Sequence, residues 1–548
     1  MKIHLFAATA LLLLAACEER EATLSEDRLR ADIAMLASDA FEGRGPASVG
    51  EEKTIAFLEQ RFRNLGLEPG FGDSYLQPVP LVSMTVSEEA DAFRAEAGTG
   101  EEMTPLAFGS EIVAWSKREV GAVSVADRPV VFVGYGIVAP EYGWNDYRDV
   151  DVRGKTVLMF VNDPGYATGD PALFKGRTMT YYGRWTYKFE EAARQGAAAA
   201  ILIHEDGPAG YPWDVVRSSW TGEQFSLVAE DGGAARAAIE AWVTGAVGER
   251  LLAGGGIGSI GEARALALSG TFGGRETPVR FSAALEMTLS RTVSHNVMAV
   301  RKGARRPEEL VLYLAHWDHL GHKKNADGDG IYNGALDNAS GTAGLLELAR
   351  VFAAGEAPER SVGFLAVTAE EQGLLGSAFY AQTPAFPVER TVAAINMDGL
   401  NILGPMADIV LIGEGQNDLE DYLVTAAGEQ ERRVEPEDTP EHGYFYRSDH
   451  FSLAKVGIPA LYTDSGTESR EHGKDWVREA RETYIREHYH KPSDEYSPEW
   501  DLSGAIEDLE LFRKIGERIA DSDDWPEWKD GSEFKAIRAR SLGQGQDQ

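Results

Sequence analysis

Three apolar runs in the second half of the chain each lead into acidic or imidazole side chains. The runs and the residues that follow them are 311–315 before His316, 362–367 before Glu370 and Glu371, and 392–397 before Asp398. Short, continuous apolar runs are typical of strands buried on both faces, as in parallel sheets covered by helices. Loops beyond the carboxyl ends of such strands build active sites in open α/β sheets. The pattern therefore predicts an α/β fold with these side chains at one sheet edge.

Each candidate side chain has an ordinary explanation when it is taken alone. His316 could be a hydrogen-bonded structural histidine, Asp337 a turn residue or helix cap, and Asp398 a strand-end cap. Together with Glu371 and His490 they form a set of two histidines and three carboxylates, with Glu370 to spare. Imidazole and carboxylate ligands suit zinc, and a shared carboxylate suits two ions about 3.5–4 Å apart. Adjacent carboxylates can also divide metal binding from proton transfer.

Length and charge narrow the class of protein. A chain of 548 residues is longer than one ordinary domain, so two domains with appendages are expected. The 88 acidic residues outnumber the 53 Lys and Arg residues, which gives a formal charge of -35. Nucleic-acid binding needs basic patches for phosphate, so this class is excluded and the acidity is interpreted as favouring solubility.

The first residues have the pattern of an export signal. Lys2 precedes the apolar stretch 5–14, which is too short to span a membrane, and residues 14–17 (Leu-Ala-Ala-Cys) resemble a bacterial lipobox. We expect a signal peptide over 1–17, lipid on Cys17, and a protein anchored at the periplasmic side of the cell envelope. The alternative is ordinary cleavage without lipid. Cys17 is the only cysteine, so no intrachain disulfide can form.

The pattern of apolar residues changes twice along the chain. A capping box at 23–26 predicts a first helix, and apolar residues at 55, 58, 62 and 65 predict a second that stops at Gly66. Short β-rich runs then indicate an inserted region, and strands alternate with helices after residue 291. The predicted division is one main domain in two parts, with its N-terminal helical part at 22–80 and its catalytic part at 291–520, an inserted region at 81–290 between them, and a disordered tail at 521–548.

Five segments resemble the M28 family of zinc peptidases, in the order that the family has them. They are 316–321 (His-Trp-Asp-His-Leu-Gly), 337–341 (Asp-Asn-Ala-Ser-Gly), 370–377 (Glu-Glu-Gln-Gly-Leu-Leu-Gly-Ser), 396–398 (Asn-Met-Asp) and 489–494 (Tyr-His-Lys-Pro-Ser-Asp). The resemblance covers roughly residues 22–80 and 291–520. It implies a mixed-sheet zinc exopeptidase domain with helices on both faces. Residues 187–203 resemble part of the β-rich protease-associated (PA) domain that some members carry as an insertion.

The resemblance also implies a role for each site residue. One zinc would be bound by His316 and Asp398, the other by Glu371 and His490, and Asp337 would bridge the two Zn²⁺ ions. Asp318 would orient His316. Glu370 would be the general base, Tyr489 would donate to the oxyanion, and the 337–338 peptide bond would be cis.

The function expected from this resemblance is that of a two-zinc exopeptidase. An aminopeptidase would hydrolyse N-terminal residues of peptides through a metal-bridging water. A carboxypeptidase or dipeptidase would use the same chemistry on another part of the substrate. A noncatalytic binding protein on this scaffold is the alternative from a different class, and it is disfavoured because Glu370 and every ligand position are occupied. Glutaminyl cyclase, a transferase variant that needs one zinc, is disfavoured by the complete ligand set.

Overall fold

The computed structural model describes residues 23–87, 92–100, 102–323 and 328–543. The predicted signal peptide and the lipobox with Cys17 lie outside the described residues, as does the end of the tail from residue 544. In the part of the chain that is described, no helix combines the length and the apolar character that crossing a membrane requires.

Helices and strands alternate along most of the chain. The helices are α1 (Glu26–Leu36), α2 (Val49–Leu65), α3 (Pro164–Thr168), α4 (Trp185–Arg194), α5 (Asp206–Ala209), α6 (Trp213–Ser219), α7 (Gly245–Gly254), α8 (Ile260–Ala267), α9 (Gly341–Ala354), α10 (Leu375–Gln382), α11 (Leu419–Glu429), α12 (His450–Ala454), α13 (Gly473–Glu487), α14 (Ser503–Asp521) and α15 (Lys535–Ser541). The strands are β1 (Glu68–Pro69), β2 (Leu76–Val86), β3 (Phe93–Thr99), β4 (Glu102–Pro105), β5 (Ile112–Trp115), β6 (Ala122–Phe132), β7 (Val138–Ala139), β8 (Trp144–Asn145), β9 (Thr156–Phe160), β10 (Ala199–Ile203), β11 (Glu223–Leu227), β12 (Ile239–Val243), β13 (Arg275–Arg301), β14 (Arg306–His316), β15 (Arg360–Val367), β16 (Thr391–Asn396), β17 (Asp408–Leu411), β18 (Arg433–Pro436) and β19 (Ala460–Asp464).

The long strand β13 belongs to two sheets. Its second half pairs with β2 and β15 in a sheet ordered β11-β2-β13-β15-β14-β16-β19-β17-β18, in which β15, β14, β16 and β19 are parallel. Its first half pairs with β3 and β6, and this second sheet continues through β9, β10 and β12 to β5. The predicted boundary at residue 290 therefore falls inside a continuous strand, and the domain limits stay a prediction.

Helices cover both faces of the first sheet. On one face, Leu29 of α1, Leu58 of α2 and Leu345 of α9 share a buried cluster with Val311 of β14. On the other face, Leu312 of β14 packs in a separate cluster with residues of α10 and α12. The predicted α/β class with a mixed sheet is confirmed. The apolar runs form strands that are buried on both faces, as the helices on each side require.

Two local predictions were wrong in detail. The first helix is capped by Ser25 rather than by Thr23, since the Ser25 hydroxyl accepts from the Arg28 amide. The tail was expected to be disordered, yet α15 follows a segment in which Trp528 is only 1% exposed. The Trp528 indole donates to the Gly457 carbonyl at 2.8 Å, so burial of a large aromatic ring orders this segment.

Candidate metal centre

Three neighbouring strands bring three of the five predicted ligands, His316, Glu371 and Asp398, to one edge of the first sheet. β14 ends at His316, which lies in register with Val367 at the end of β15. β16 ends two residues before Asp398 and runs parallel to β14 on the other side. Because parallel strands deliver their carboxyl ends to the same edge, side chains distant in sequence meet there, as the sequence predicts.

His316 lies between two carboxylates. Its Nε2 atom is 3.1 Å from Asp398 Oδ1 and 3.4 Å from Asp337 Oδ1. Its Nδ1 atom is 3.1 Å from the backbone carbonyl of Asp318, which directs Nε2 toward the carboxylates. The Asp318 carboxylate is farther from Nδ1, at 3.8 Å, and accepts a hydrogen bond from the Glu370 amide instead. Asp318 therefore contacts both His316 and the segment with the proposed base.

Asp337 lies between the two halves of the predicted site. Its Oδ1 atom faces His316, and its Oδ2 atom is 3.2 Å from His490 Nε2. The same His490 nitrogen is 3.1 Å from Glu371 Oε2. The structure thus brings together all five residues to which the sequence assigned metal binding, with Asp337 in the central position.

His319 is an additional histidine at this site and is not one of the five predicted metal ligands. It is fully buried, and its Nδ1 atom lies 2.6 Å from Glu371 Oε1. Neither ring nitrogen has an aligned hydrogen-bond partner. In the sequence, only its place three residues after His316 in the His-Trp-Asp-His segment could have indicated that it belongs to this site.

Two groups of donor atoms at this edge of the sheet could each hold a metal ion. Ligand atoms of His316, Asp337 and Asp398 lie within 4.8 Å of one another, and so do those of His319, Asp337 and Glu371. Buried polar atoms are normally paired, so the buried His319 Nε2 atom, which has no hydrogen-bond partner, indicates a ligand that supplies the missing interaction. Imidazole and carboxylate donors are those that zinc prefers.

The pKa shifts within the cluster also favour a bound cation. Burial raises the pKa of Glu370 well above its ordinary value, and the carboxylates of Asp398 and Glu371 raise it further. Burial lowers the pKa of His316, but Asp398 and Asp337 outweigh this and raise it well above its usual range. Protonated histidines therefore supply the positive charge that the crowded carboxylates need. Bound cations would supply the same charge.

Backbone contacts fix the loop that carries Asp337. The Asp494 carboxylate accepts from the amides of Leu336 and Asp337 at 3.1 and 3.2 Å. The peptide bond between Asp337 and Asn338 is cis, as the resemblance implied. The Asn338 side-chain amide donates to the Met397 carbonyl, one residue before Asp398, at 3.0 Å. The loops that carry Asp337 and Asp398 are therefore joined directly.

Tyr489 lies at the open side of the cluster. Its ring stacks on His490 with centroids 3.9 Å apart, and its side chain remains 45% exposed. Partial burial, followed by the negative charge of Asp337, raises the pKa of Tyr489 above its ordinary value, so the hydroxyl keeps its proton. Tyr489 can therefore donate a hydrogen bond to a group that enters from solvent.

Comparison with known proteins confirms the resemblance seen in the motifs. Residues 296–512 match the model of Peptidase family M28. A probable zinc metalloprotease of Pyricularia oryzae is 40% identical over 106 residues, which are 19% of this chain and 19% of that protein. The aminopeptidase NAALADL1 of Mus musculus is 37% identical over 116 residues, 20% of this chain and 14% of that protein. The matches thus span about a fifth or less of these curated relatives.

Two solved aminopeptidase structures are among those to which the chain is similar. One, from Aneurinibacillus sp. strain AM-1, is 21% identical, with 92% of this chain and 94% of that chain covered and a TM-score of 0.47. The other, the zinc aminopeptidase BSAP from Bacillus subtilis, is 17% identical, with 92% and 98% covered and a TM-score of 0.41.

Proposed function

We propose that this chain, which carries an M28 peptidase domain over residues 296–512, is a two-zinc exopeptidase that acts as an aminopeptidase. The observation that carries the proposal is the convergence of His316, Asp337, Glu371, Asp398 and His490 around a shared central carboxylate. In a noncatalytic binding protein, nothing would require the additional carboxylate of Glu370 beside the five proposed metal ligands. His319 lies close enough to Glu371 to orient it or to add a ligand.

The residues around the proposed centre can divide the work of peptide hydrolysis. When bound, two zinc ions would polarise the scissile carbonyl, acidify water and offset the negative charge around Glu370. Glu370 would take a proton from the attacking water and return one to the leaving amine. The Tyr489 hydroxyl would donate to the oxygen on which negative charge develops. The backbone carbonyl of Asp318 contacts His316 Nδ1 and so orients the ring with Nε2 toward the proposed metal site.

The inserted region supports action on chain ends. Tyr181, just before α4, packs against Phe451 of α12 with ring centroids 4.9 Å apart. Three residues before Phe451, Ser448 donates to Asp398 Oδ2 at 2.6 Å. The insertion therefore packs directly beside the proposed centre, where it would exclude internal segments of folded proteins. We interpret it as a PA domain, on the strength of its sequence resemblance.

The start of the sequence supports a location outside the cytoplasm. We propose that cleavage before Cys17 and acylation of its thiol anchor the protein at the periplasmic side of the envelope. Replacing Cys17 by serine should release the protein from the membrane fraction and abolish labelling by a radioactive fatty acid. Membrane retention of the Cys17→Ser protein would overturn this part of the proposal.

A substrate panel tests the proposed activity. Aminoacyl anilides, N-blocked peptides, C-blocked peptides and free dipeptides are incubated with the protein, with and without chelator. An aminopeptidase cleaves the anilides and C-blocked peptides but not the N-blocked ones, and loses activity with chelator. Cleavage of N-blocked peptides at the C-terminus would indicate a carboxypeptidase, and cleavage of free dipeptides alone a dipeptidase. Absence of hydrolysis by the zinc-loaded protein would contradict the proposal.

A further inference from the structure

The loop that carries the proposed base Glu370 and the proposed ligand Glu371 is held by side chains of one strand, β13. We call residues 368–374, between β15 and α10, the base loop. The backbone turns sharply at Ala369, which is fully buried and has a left-handed conformation with φ of 53°. Alanine rarely adopts this conformation, so surrounding contacts are needed to keep it there.

The Asn296 side chain of β13 joins the two ends of this loop. Its Oδ1 atom accepts from the Thr368 amide at 3.0 Å, and its Nδ2 atom donates to the Gly376 carbonyl at 2.9 Å and to Gln77 Oε1 at 2.9 Å. The Gly376 amide in turn donates to the Thr368 carbonyl at 2.9 Å. Asn296 is 1% exposed, and the backbone partners fix which end of its amide is the oxygen. A Cβ atom on Gly376 would lie 2.5 Å from Asn296 Oδ1, so this close approach requires glycine.

Hydroxyl groups connect β13 to the same loop a second time. Ser294 is fully buried, donates to Glu51 Oε2 of α2 at 2.7 Å, and lies 2.6 Å from Thr368 Oγ1. A hydroxyl has one proton and a carboxylate oxygen accepts, so Ser294 gives its proton to Glu51 and receives the proton of Thr368. The amide, the carbonyl and the hydroxyl of Thr368 therefore all have partners, two residues before Glu370.

The same stretch of β13, residues 294–296, also contacts the segment that follows His316. The Trp317 indole donates to the His295 carbonyl at 3.0 Å, and Trp317 comes directly after His316. One short stretch of strand thus holds two segments that lead to the proposed centre. Its contacts reach Glu370 through the backbone of the base loop, which makes these residues positioning residues and not catalytic ones.

We propose that Asn296 positions the base loop and, through it, Glu370 for proton transfer. The hydroxyl pair of Ser294 and Thr368 supports the same loop, which also carries Glu371. This inference rests on the proposed peptidase function. A general base acts only within hydrogen-bond reach of the proton that it takes, and a misplacement of about 1 Å can cost about 100-fold in rate. A positioning role therefore predicts a loss in kcat, whereas a purely structural role predicts only a loss of stability.

Asn296→Asp tests the amide with almost no change in shape. The new carboxylate keeps an oxygen for the Thr368 amide, but it cannot donate to the Gly376 carbonyl and places an acceptor against it. With an aminoacyl anilide, kcat of the zinc-loaded protein should fall about 10- to 100-fold, and KM should stay within about 3-fold of the wild-type value. Zinc affinity in chelator competition should fall about 10-fold, because Glu371 lies on the same loop.

Asn417 provides the matched control. It is also buried, at 2% exposure, and its side chain accepts from the Leu419 amide at 3.0 Å and donates to the Ala460 carbonyl at 2.9 Å. Ala460 begins β19, at the end of this parallel strand that lies away from the proposed ligands. Asn417→Asp should therefore lose stability in urea but keep the wild-type kcat and zinc affinity. Equal effects of the two variants on kcat and zinc affinity would reduce Asn296 to a structural residue and overturn the proposal.

A second pair of variants decides the matter if Asn296→Asp does not fold. Thr368→Val keeps the shape of the side chain but removes the hydroxyl that donates to Ser294, whereas Thr368→Ser keeps a hydroxyl. We expect Thr368→Val to lower kcat about 10-fold and Thr368→Ser to stay within about 3-fold of the wild type. A folded Thr368→Val protein with wild-type kcat would contradict the proposal.

Hydrogen exchange keeps this inference separate from the proposed activity. The amides of residues 373–376 donate to carbonyls of residues 368–370, so their exchange reports how well the loop is held. In metal-free protein, Asn296→Asp should speed exchange within 368–376 about 10-fold or more, with exchange in β16 unchanged. If the wild-type protein hydrolysed no peptide, the proposed function would fail, and this measurement would still decide on Asn296. Wild-type exchange rates across 368–376 in the variant would overturn the positioning role.

Discussion

Arg44 connects the loops that carry two of the proposed ligands. Replacing it should lower both the stability of the fold and its affinity for zinc. Its guanidinium is buried, at 1% exposure. It donates to four backbone carbonyls at 2.6–2.9 Å: those of Leu36, Trp317, Asn333 and Gly334. Trp317 follows His316 directly, and Gly334 precedes the turn that contains Asp337. Arg44 therefore fixes the spacing between these two loops.

The cost of Arg44→Met follows from these contacts. Hydrogen bonds from a charged donor contribute about 1.5–3 kcal/mol each, so four set an upper bound of about 6–12 kcal/mol. Relief from burying the charge offsets several kcal/mol, which leaves an expected loss of about 3–5 kcal/mol. Arg44→Lys should lose most of this stability too, because an ammonium cannot reach four carbonyls in a fork. Zinc affinity should fall about 10- to 100-fold as the ligand loops lose their support.

Urea unfolding of metal-free protein, followed by tryptophan fluorescence, measures the first effect, and competition with a chromophoric chelator measures the second. Arg63→Met is the control, since Arg63 is 53% exposed and pairs with Glu59 one helical turn away. Its replacement should cost about 0.5 kcal/mol or less. If Arg44→Met were as mild as Arg63→Met in both assays, the role of Arg44 in holding the loops would be refuted.

Three further predictions concern single side chains. Burial lowers the pKa of His450 to about 3 from an ordinary 6.5, so the folded state binds fewer protons than the unfolded state below pH 6.5. The stability of metal-free protein should therefore fall by about 2–3 kcal/mol between pH 6.5 and pH 4.5 from this group, and pH-dependent urea unfolding of His450→Phe should lack that part. Trp528→Ala should cost about 3–5 kcal/mol in the same unfolding assay, whereas a change below about 1 kcal/mol would mean that the C-terminal segment does not pack on the fold. Ser448→Ala removes the hydroxyl that donates to Asp398 and should weaken zinc binding about 10-fold or more in chelator competition; an unchanged affinity would show that this contact does not tune the centre.

The parts of the site that lie on strand ends could be predicted from sequence, because apolar runs mark buried strands and parallel strands share an edge. His316 and Asp398 are of this kind. His490 follows an exposed helix, α13, and its place at Asp337 could be expected only through the family resemblance. The position of His319 depends on how the loop after β14 turns, which no periodicity encodes.

Contacts between distant segments account for most of what the sequence could not predict. Arg44 lies in a short helical segment between α1 and α2, and nothing in its neighbourhood indicates that its side chain reaches the loops beyond β14. The order of the C-terminal segment likewise depends on a distant contact, in which the Trp528 indole donates to the Gly457 carbonyl. Such pairings are set by packing in three dimensions, where local sequence patterns carry no information.

The central claim is that five side chains bind two zinc ions beside a carboxylate that moves protons. It is tested most directly by counting zinc in purified wild-type protein and in Glu370→Gln, with the kcat/KM of each on an aminoacyl anilide. We predict two zinc ions per chain in both proteins and a loss of about 100- to 10,000-fold in kcat/KM for the variant. A wild-type protein that binds no zinc, or a Glu370→Gln protein that hydrolyses the anilide at the wild-type rate, would contradict this claim.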